Sequence, residues 1–161
     1  MIESTYTHVI VEEGENEMIV TFAQDRDISI LINLVKIVQD EFPGLVMEDY
    51  IKFLKNSIRE KTAIIAKEKN IVYGVLLFSY DNREISFLAV NPKYRKKRVA
   101  TILIKKMLNQ FPKGVEITVT TYRENDPKGT AARALYKSLG FKEGELLIEF
   151  DYPTQKFILN S

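Results

Sequence analysis

The chain is expected to fold as one mixed α/β domain, and three observations point there. The hydrophobic period is helical over residues 28–60, strand-like over residues 63–90, and then helical and strand-like in turn. The strand-like region holds adjacent runs joined by short turn signals, which predicts an antiparallel meander. Finally, a basic turn, Arg95-Lys96-Lys97-Arg98-Val99-Ala100, stands between a strand-like run and a strongly helical one. With 161 residues, 45% hydrophobic and 28% charged, the chain can bury a substantial core as a single domain over residues 1–161.

Residues 6–11 and 18–22 read as short strands around Glu13-Gly14-Glu15-Asn16, a hairpin signal. Residues 28–42 are amphipathic, with Ile28, Leu31, Ile32, Val35 and Val38 on one helical stripe, and Pro43-Gly44 ends them. A second helix is expected over residues 47–60, with Tyr50, Ile51, Leu54 and Ile58 inward. Strands follow at residues 63–67, 72–80 and 84–90, separated by turns at Lys69-Asn70 and Asp81-Asn82. The last of them stops at Asn91-Pro92. Residues 101–111 carry Leu103, Ile104, Met107, Leu108 and Phe111 at helical spacing, and residues 115–122 form a strand rich in Val, Ile and Thr. A short helix is expected over residues 130–139, with an earlier start available at Asp126-Pro127. Gly140 suits a left-handed C-cap with Phe141 folding back. Residues 146–150 and 156–159 close the chain as two strands around Tyr152-Pro153.

Composition removes several function classes. There is no cysteine, so disulfides, thiolate metal sites and a cysteine nucleophile are excluded. The single histidine, His8, lies in an alternating stretch and reads as a strand residue rather than a metal ligand or base. No metal is expected. No apolar run approaches the ~20 residues of a membrane helix, and the acidic start lacks a signal-peptide layout, so the expected location is cytoplasmic. The net charge of +1 hides an asymmetry, −7 over residues 1–60 against +8 over residues 61–161. Such a division suits one half facing an anion and the other attracting a cation.

A basic turn feeding a helix start reads as an anion site, with a solvated charge cluster as the plain alternative. Unpaired backbone N–H groups point outward there, the helix dipole favours negative charge, and Lys and Arg add forked donors for phosphate. A nucleic-acid patch drawn from Lys93 to Arg98 with Lys105 and Lys106 is the weaker reading. The aromatics are not interleaved with these bases, and the chain is near neutral.

Phe87-Leu88-Ala89-Val90-Asn91-Pro92-Lys93-Tyr94-Arg95-Lys96-Lys97-Arg98-Val99-Ala100 and Ala132-Arg133-Ala134-Leu135-Tyr136-Lys137-Ser138-Leu139-Gly140-Phe141 together resemble the GNAT superfamily of acetyl-CoA-dependent N-acetyltransferases. The first is similar to the family's strand, turn and pyrophosphate loop, the second to its Ala-x-x-Leu-Tyr-x-x-x-Gly-Phe helix. Order and separation agree over residues 63 to 150. The resemblance implies a GNAT-like α+β fold, with a mixed, mostly antiparallel central sheet of about seven strands flanked by about four helices.

It also implies direct transfer of an acetyl group to a primary amine of a small-molecule or peptide acceptor. The pantetheine of acetyl-CoA would pair with backbone at Leu88 and Val90, either side of Ala89, where that strand and the one starting at Val115 splay apart. Amides of Arg98, Val99, Ala100 and Thr101 would cap the pyrophosphate, with Arg95, Lys96 and Lys97 in the same basic loop. Tyr136 would border the cofactor and act as general acid. A tyrosine of ordinary pKa (~10) is protonated at neutral pH and can supply a thiolate whose acid form has a pKa of about 8.5. Glu84 and Glu124 are the candidates for general base, with Tyr80, Asn125 and Asp126 on the acceptor side. The acceptor site would draw on the two N-terminal helices, where Asp40, Glu41, Glu48 and Asp49 suit a cationic amine. No nucleic-acid or membrane partner is implied, and a homodimer is compatible.

Two positions depart from the family pattern. Arg98 stands where the family prefers glycine, which is tolerable while its φ stays negative. Gly129 stands where an asparagine is frequent, which removes one hydrogen bond to the cofactor arm. These departures lend weight to the alternative of a non-catalytic module that binds or senses acyl-CoA.

Overall fold

The computed structural model describes residues 6–10 and 17–160. The turn expected at Glu13-Gly14-Glu15-Asn16 lies outside the described residues. The chain forms two compact units, one of residues 1–78 and 87–110, the other of residues 79–86 and 111–161.

The first unit holds β1 (Tyr6–Ile10), β2 (Glu17–Phe22), α1 (Ile28–Val38), α2 (Met47–Arg59), β3 (Ala63–Glu68), β4 (Ile71–Ser79), the end of β5 (Glu84–Val90) and α3 (Val99–Leu108). Its strands lie in the order β1-β2-β3-β4-β5, with β1 through β4 pairing antiparallel in succession. His8 sits on β1 opposite Ile19, as a strand residue. Leu31, Leu34 and Val35 of α1 and Tyr50, Leu54 and Ile58 of α2 bury their stripe against Ile65, Val75 and Leu77. Burying each such side chain contributes on the order of 1.5–3 kcal/mol, which in the Ile- and Val-rich α1 outweighs modest helix propensity. Phe87 of β5 joins this core, its ring 4.7 Å from Phe42 and 5.3 Å from Tyr50.

The expected helix over residues 28–42 is shorter. It ends at Val38 and tightens into a 3-10 turn at Gln39–Glu41. Pro43 disfavours helical backbone at Phe42, whose φ is −124°. Pro112 acts alike on α3, which stops at Leu108 and not at residue 111.

The second unit holds the start of β5, β6 (Glu116–Tyr122), α4 (Thr130–Ser138), β7 (Lys142–Glu149) and β8 (Tyr152–Asn160), in the order β5-β6-β8-β7. The β5–β6 ladder is parallel and pairs Glu84 with Thr118 and Ile85 with Val119; the β6–β8 and β7–β8 ladders are antiparallel. A mixed, mostly antiparallel sheet with four helices is therefore the architecture, with eight strands among the described residues against about seven expected. Gly140 is the left-handed C-cap of α4, at φ 95°, and the Phe141 N–H folds back to Tyr136 O at 2.9 Å.

The last hairpin differs from expectation. Tyr152 and Pro153 are not the turn but the first residues of β8, paired with Glu149 and Ile148. The turn is Phe150-Asp151, with φ of 51° and 62°. Both central residues of a type I′ turn need positive φ, which Asn-Gly signals and Phe-Asp does not. β7 begins at Lys142, four residues earlier than expected, because a register shift between Glu143 and Leu146 breaks the alternation that marks a strand.

Candidate active site

In the first unit β5 delivers Leu88, Ala89 and Val90 directly into the basic turn, so the sequence-predicted residues from Leu88 to Thr101 are brought together. Asn91 builds the corner. Its backbone N–H reaches Tyr73 O at 2.8 Å, its Nδ2 donates to Val72 O at 3.1 Å, and its Oδ1 accepts from Lys93 N–H at 3.1 Å. Pro92 then starts a 3-10 turn, and Tyr94 stacks on Tyr73 at 4.0 Å with rings 13° apart. The Tyr73 hydroxyl donates to Glu68 Oε2 at 2.9 Å; burial, then that carboxylate, pushes its pKa up to about 12. The turn is thus anchored on β4 by side chains that composition alone does not single out.

Lys96 and Arg98 both have left-handed backbone, with φ of 62° and 63°. The condition of negative φ under which a side chain is tolerable at Arg98 is therefore not met. Arg98 is the N-cap of α3, its side chain makes no capping bond, and Val99 follows in helical conformation. A left-handed residue followed by a right-handed one turns successive N–H groups to one side, a concave anion cradle. The first intrahelical bond from α3 onto Arg98 O comes from Ile102 N–H at 3.0 Å, so the amides of Val99, Ala100 and Thr101 lead the helix. α3 also begins two residues earlier than its hydrophobic stripe suggests. Gly74 lets that helix start sit close to β4, since a Cβ there would be 3.0 Å from Val99 Cγ1 and 3.1 Å from Leu103 Cδ1.

Arg95 is engaged rather than a free distant charge. Its Nη2 lies 2.6 Å from Glu41 Oε2 and 3.3 Å from Val90 O. Among the acidic residues expected to attract a cation, Glu41 therefore has a guanidinium partner, and Glu48 has Lys52 at 3.6 Å.

The second unit holds the other candidates. Tyr136 is buried on α4, with its ring 5.6 Å from Phe141 and 5.9 Å from Phe157. Burial pushes its phenol well above the ordinary tyrosine value, so the premise of ordinary acidity does not hold here. Glu84 is half-buried at the start of β5, opposite Thr118. Glu124 is exposed beyond the end of β6, in a recess of about 390 Å³ with Arg123, Asn125, Glu143, Leu146 and Gln155. Arg123 does not pair with Glu124; its Nε and Nη2 donate to Thr154 O at 3.1 Å and Leu147 O at 2.9 Å. Asp126 caps the turn into α4, accepting from Lys128 N–H at 2.9 Å and Tyr152 Oη at 2.7 Å; the Tyr152 bond leads in holding its carboxyl below the usual range.

Arg133 was not among the sequence candidates. It is 5% exposed, and its Nη1 donates to Tyr122 O at 3.0 Å and Gln155 Oε1 at 2.8 Å while Nη2 reaches Glu143 at 2.9 Å. The signal was its spacing, three residues before Tyr136 on the same face of α4. Among the described residues no cluster of His, Asp or Glu could hold a metal, and no helix is long and apolar enough to cross a membrane.

The Acetyltransferase (GNAT) family model matches residues 31–141, more than half of the chain. The chain belongs to this acetyltransferase family. As a GNAT protein it resembles the GNAT family acetyltransferase from Bacillus cereus, with a TM-score of 0.72 and 22% identity over 89% of this chain and 96% of that one. It also resembles PaiA N-acetyltransferase from Thermoplasma acidophilum in complex with coenzyme A, with a TM-score of 0.62, 18% identity, and 86% and 97% coverage. Over 111 residues it is 26% identical to the Homo sapiens cysteine-rich protein 2-binding protein. That stretch is 68% of this chain, which spans only 13% of that relative. At Gly129 a Cβ would lie 2.9 Å from Tyr122 Cβ and 3.2 Å from Tyr122 O, so a side chain there requires the turn to shift.

Proposed function

We propose that the chain transfers an acetyl group from acetyl-CoA to a primary amine of a cationic acceptor, donor and acceptor being bound together. The observation that carries this is the cradle at Arg98 and Val99, where uncapped helix-leading amides follow the end of β5 at Val90 after the 3-10 turn Pro92–Tyr94 and the basic loop. Pyrophosphate is the anion such a cradle fits, and the coenzyme A bound by the PaiA N-acetyltransferase supports the assignment. Backbone at Leu88 and Val90 pairs with the pantetheine, while Lys96 and Lys97 add positive charge.

In the transfer the amine nitrogen attacks the thioester carbon, the C–S bond breaks and an amide forms. The amine loses a proton and the CoA thiolate gains one. Glu84, half-buried at the start of β5, is the carboxylate that takes the first proton. Tyr136 gives the second. Its raised pKa keeps it protonated throughout the physiological range but makes the donation uphill. Asp40 and Asp49, both exposed, are the carboxylates left to attract the acceptor's charge.

The buried, less acidic Tyr136 favours a second reading, an acyl-CoA-binding module without turnover. Titration of acetyl-CoA by calorimetry, followed by CoA release with a panel of amines, separates the two. Micromolar 1:1 binding with turnover of cationic amines is the expected result. Tight binding without transfer to any amine selects the second reading, and absence of binding removes both.

A further inference from the structure

We propose that the outer strand β7 and its turn form a docking edge for an extended, cationic polypeptide that adds to the sheet as a further strand. Leu146, Ile148 and Phe150 are 59%, 70% and 85% exposed, and among the described residues no other element exposes three large apolar side chains. Leu146 pairs with Gln155 and Ile148 with Pro153, so both stand on the sheet face where Gln155 meets Arg133 of α4. β7 pairs with β8 on one side and, among the described residues, ends the strand order on the other. An apolar stripe beside an unpaired strand edge is where a chain gains main-chain bonds and side-chain contacts together.

Charge selects the occupant. Glu143 and Glu145 are answered within the unit, by Lys137 and Arg133 and by Lys156. Glu124, Glu149 and Asp151 are exposed and have no ion-pair partner among the described residues. A strand with apolar residues at alternate positions and Arg or Lys between them matches both features. A second copy does not. Antiparallel self-pairing supplies Glu149 no cation, since about Leu146 it faces Glu143 and about Leu147 it faces Glu145, each already held by its own Lys or Arg. An anionic lipid surface would be repelled by Glu149 and Asp151 on either side of Phe150.

The probe is an octapeptide alternating Arg and Val, acetylated at its N-terminus and amidated at its C-terminus, labelled for fluorescence anisotropy with the full chain at about 50 mM salt. It has no primary amine, so its binding and the transfer chemistry succeed or fail separately. Expected is 1:1 micromolar binding, weakened about tenfold by Ile148→Thr and about fivefold or more by Glu149→Gln with Asp151→Asn, and lost at high salt. Equal binding of a Glu/Val octapeptide, or none of the Arg/Val one, overturns the proposal. So does a dimer in sedimentation that Ile148→Thr converts to monomer, since a second copy would then be the occupant.

Discussion

Arg95 Nη2 stands 2.6 Å from Glu41 Oε2, and through that contact the basic turn is held to the 3-10 turn that follows α1. The same nitrogen reaches Val90 O at 3.3 Å, so one guanidinium ties the end of β5, the turn and the acidic segment together. Both partners are nearly half exposed, so the pair contributes little to stability, about 0–1 kcal/mol. Its larger effect is on the anion cradle, because Glu41 offsets part of the turn's positive field. Glu41→Gln is expected to lower Tm by no more than about 2–4 °C and to tighten CoA binding about two- to fivefold at low salt, the gain vanishing at high salt. Calorimetric titrations at two ionic strengths check this; weaker binding at low salt would show that the tether matters more than the charge.

Arg98 has φ 63°, a conformation that costs a residue with a Cβ about 1–2 kcal/mol. Arg98→Gly keeps the backbone and its amides without that cost. Tm should rise by about 2–4 °C, and CoA affinity should stay within about fivefold. Arg98→Pro forces φ near −65° and should abolish CoA binding. A loss of more than about tenfold in the glycine variant would transfer the role from the backbone to the guanidinium.

Tyr50, Tyr73 and Tyr136 all have phenols raised by burial, Tyr73 to about 12. A folded pKa above the unfolded one stabilises the chain fully below the unfolded value of about 10 and loses that contribution as pH rises through the folded value. Unfolding free energy in urea is therefore expected to be flat in these groups up to about pH 9 and to fall steeply from about pH 10 towards pH 12. Tyr136→Phe should make the fall shallower. It keeps the ring against Phe141 and Phe157, so CoA binding should persist while turnover drops about 10²–10⁴-fold. Unchanged turnover would remove Tyr136 from the mechanism.

Gly129 leaves no room for the side chain frequent at its position, with Tyr122 Cβ 2.9 Å from where a Cβ would stand. Gly129→Asn is expected to destabilise by about 1–3 kcal/mol, read as a lower midpoint in urea with an unchanged slope. A neutral effect would mean that the 3-10 turn at Pro127–Gly129 shifts away from β6.

The fold was legible wherever side-chain period carried it. The stripe of Leu31, Val35 and Val38, the β3–β4 runs and the cap at Gly140 follow from local rules that neighbouring residues obey by themselves. The basic turn was legible too, as Arg95 to Ala100 between strand and helix. Illegible were features set by backbone sign and burial: positive φ at Lys96, Arg98, Phe150 and Asp151, all residues that do not advertise it. Helix lengths erred where Pro43 and Pro112 act on the residue before them.

What the sequence alone determined is the class of fold, the place of the basic turn between β5 and α3 and the identity of the helix bearing Tyr136, because each depends on residues close along the chain. Tertiary structure alone decided that Arg95 is spent on Glu41, that Arg133 is buried among Tyr122, Gln155 and Glu143, and that Tyr136 is a weakened acid. Those outcomes depend on which distant groups share a low-dielectric interior, and no local pattern encodes that.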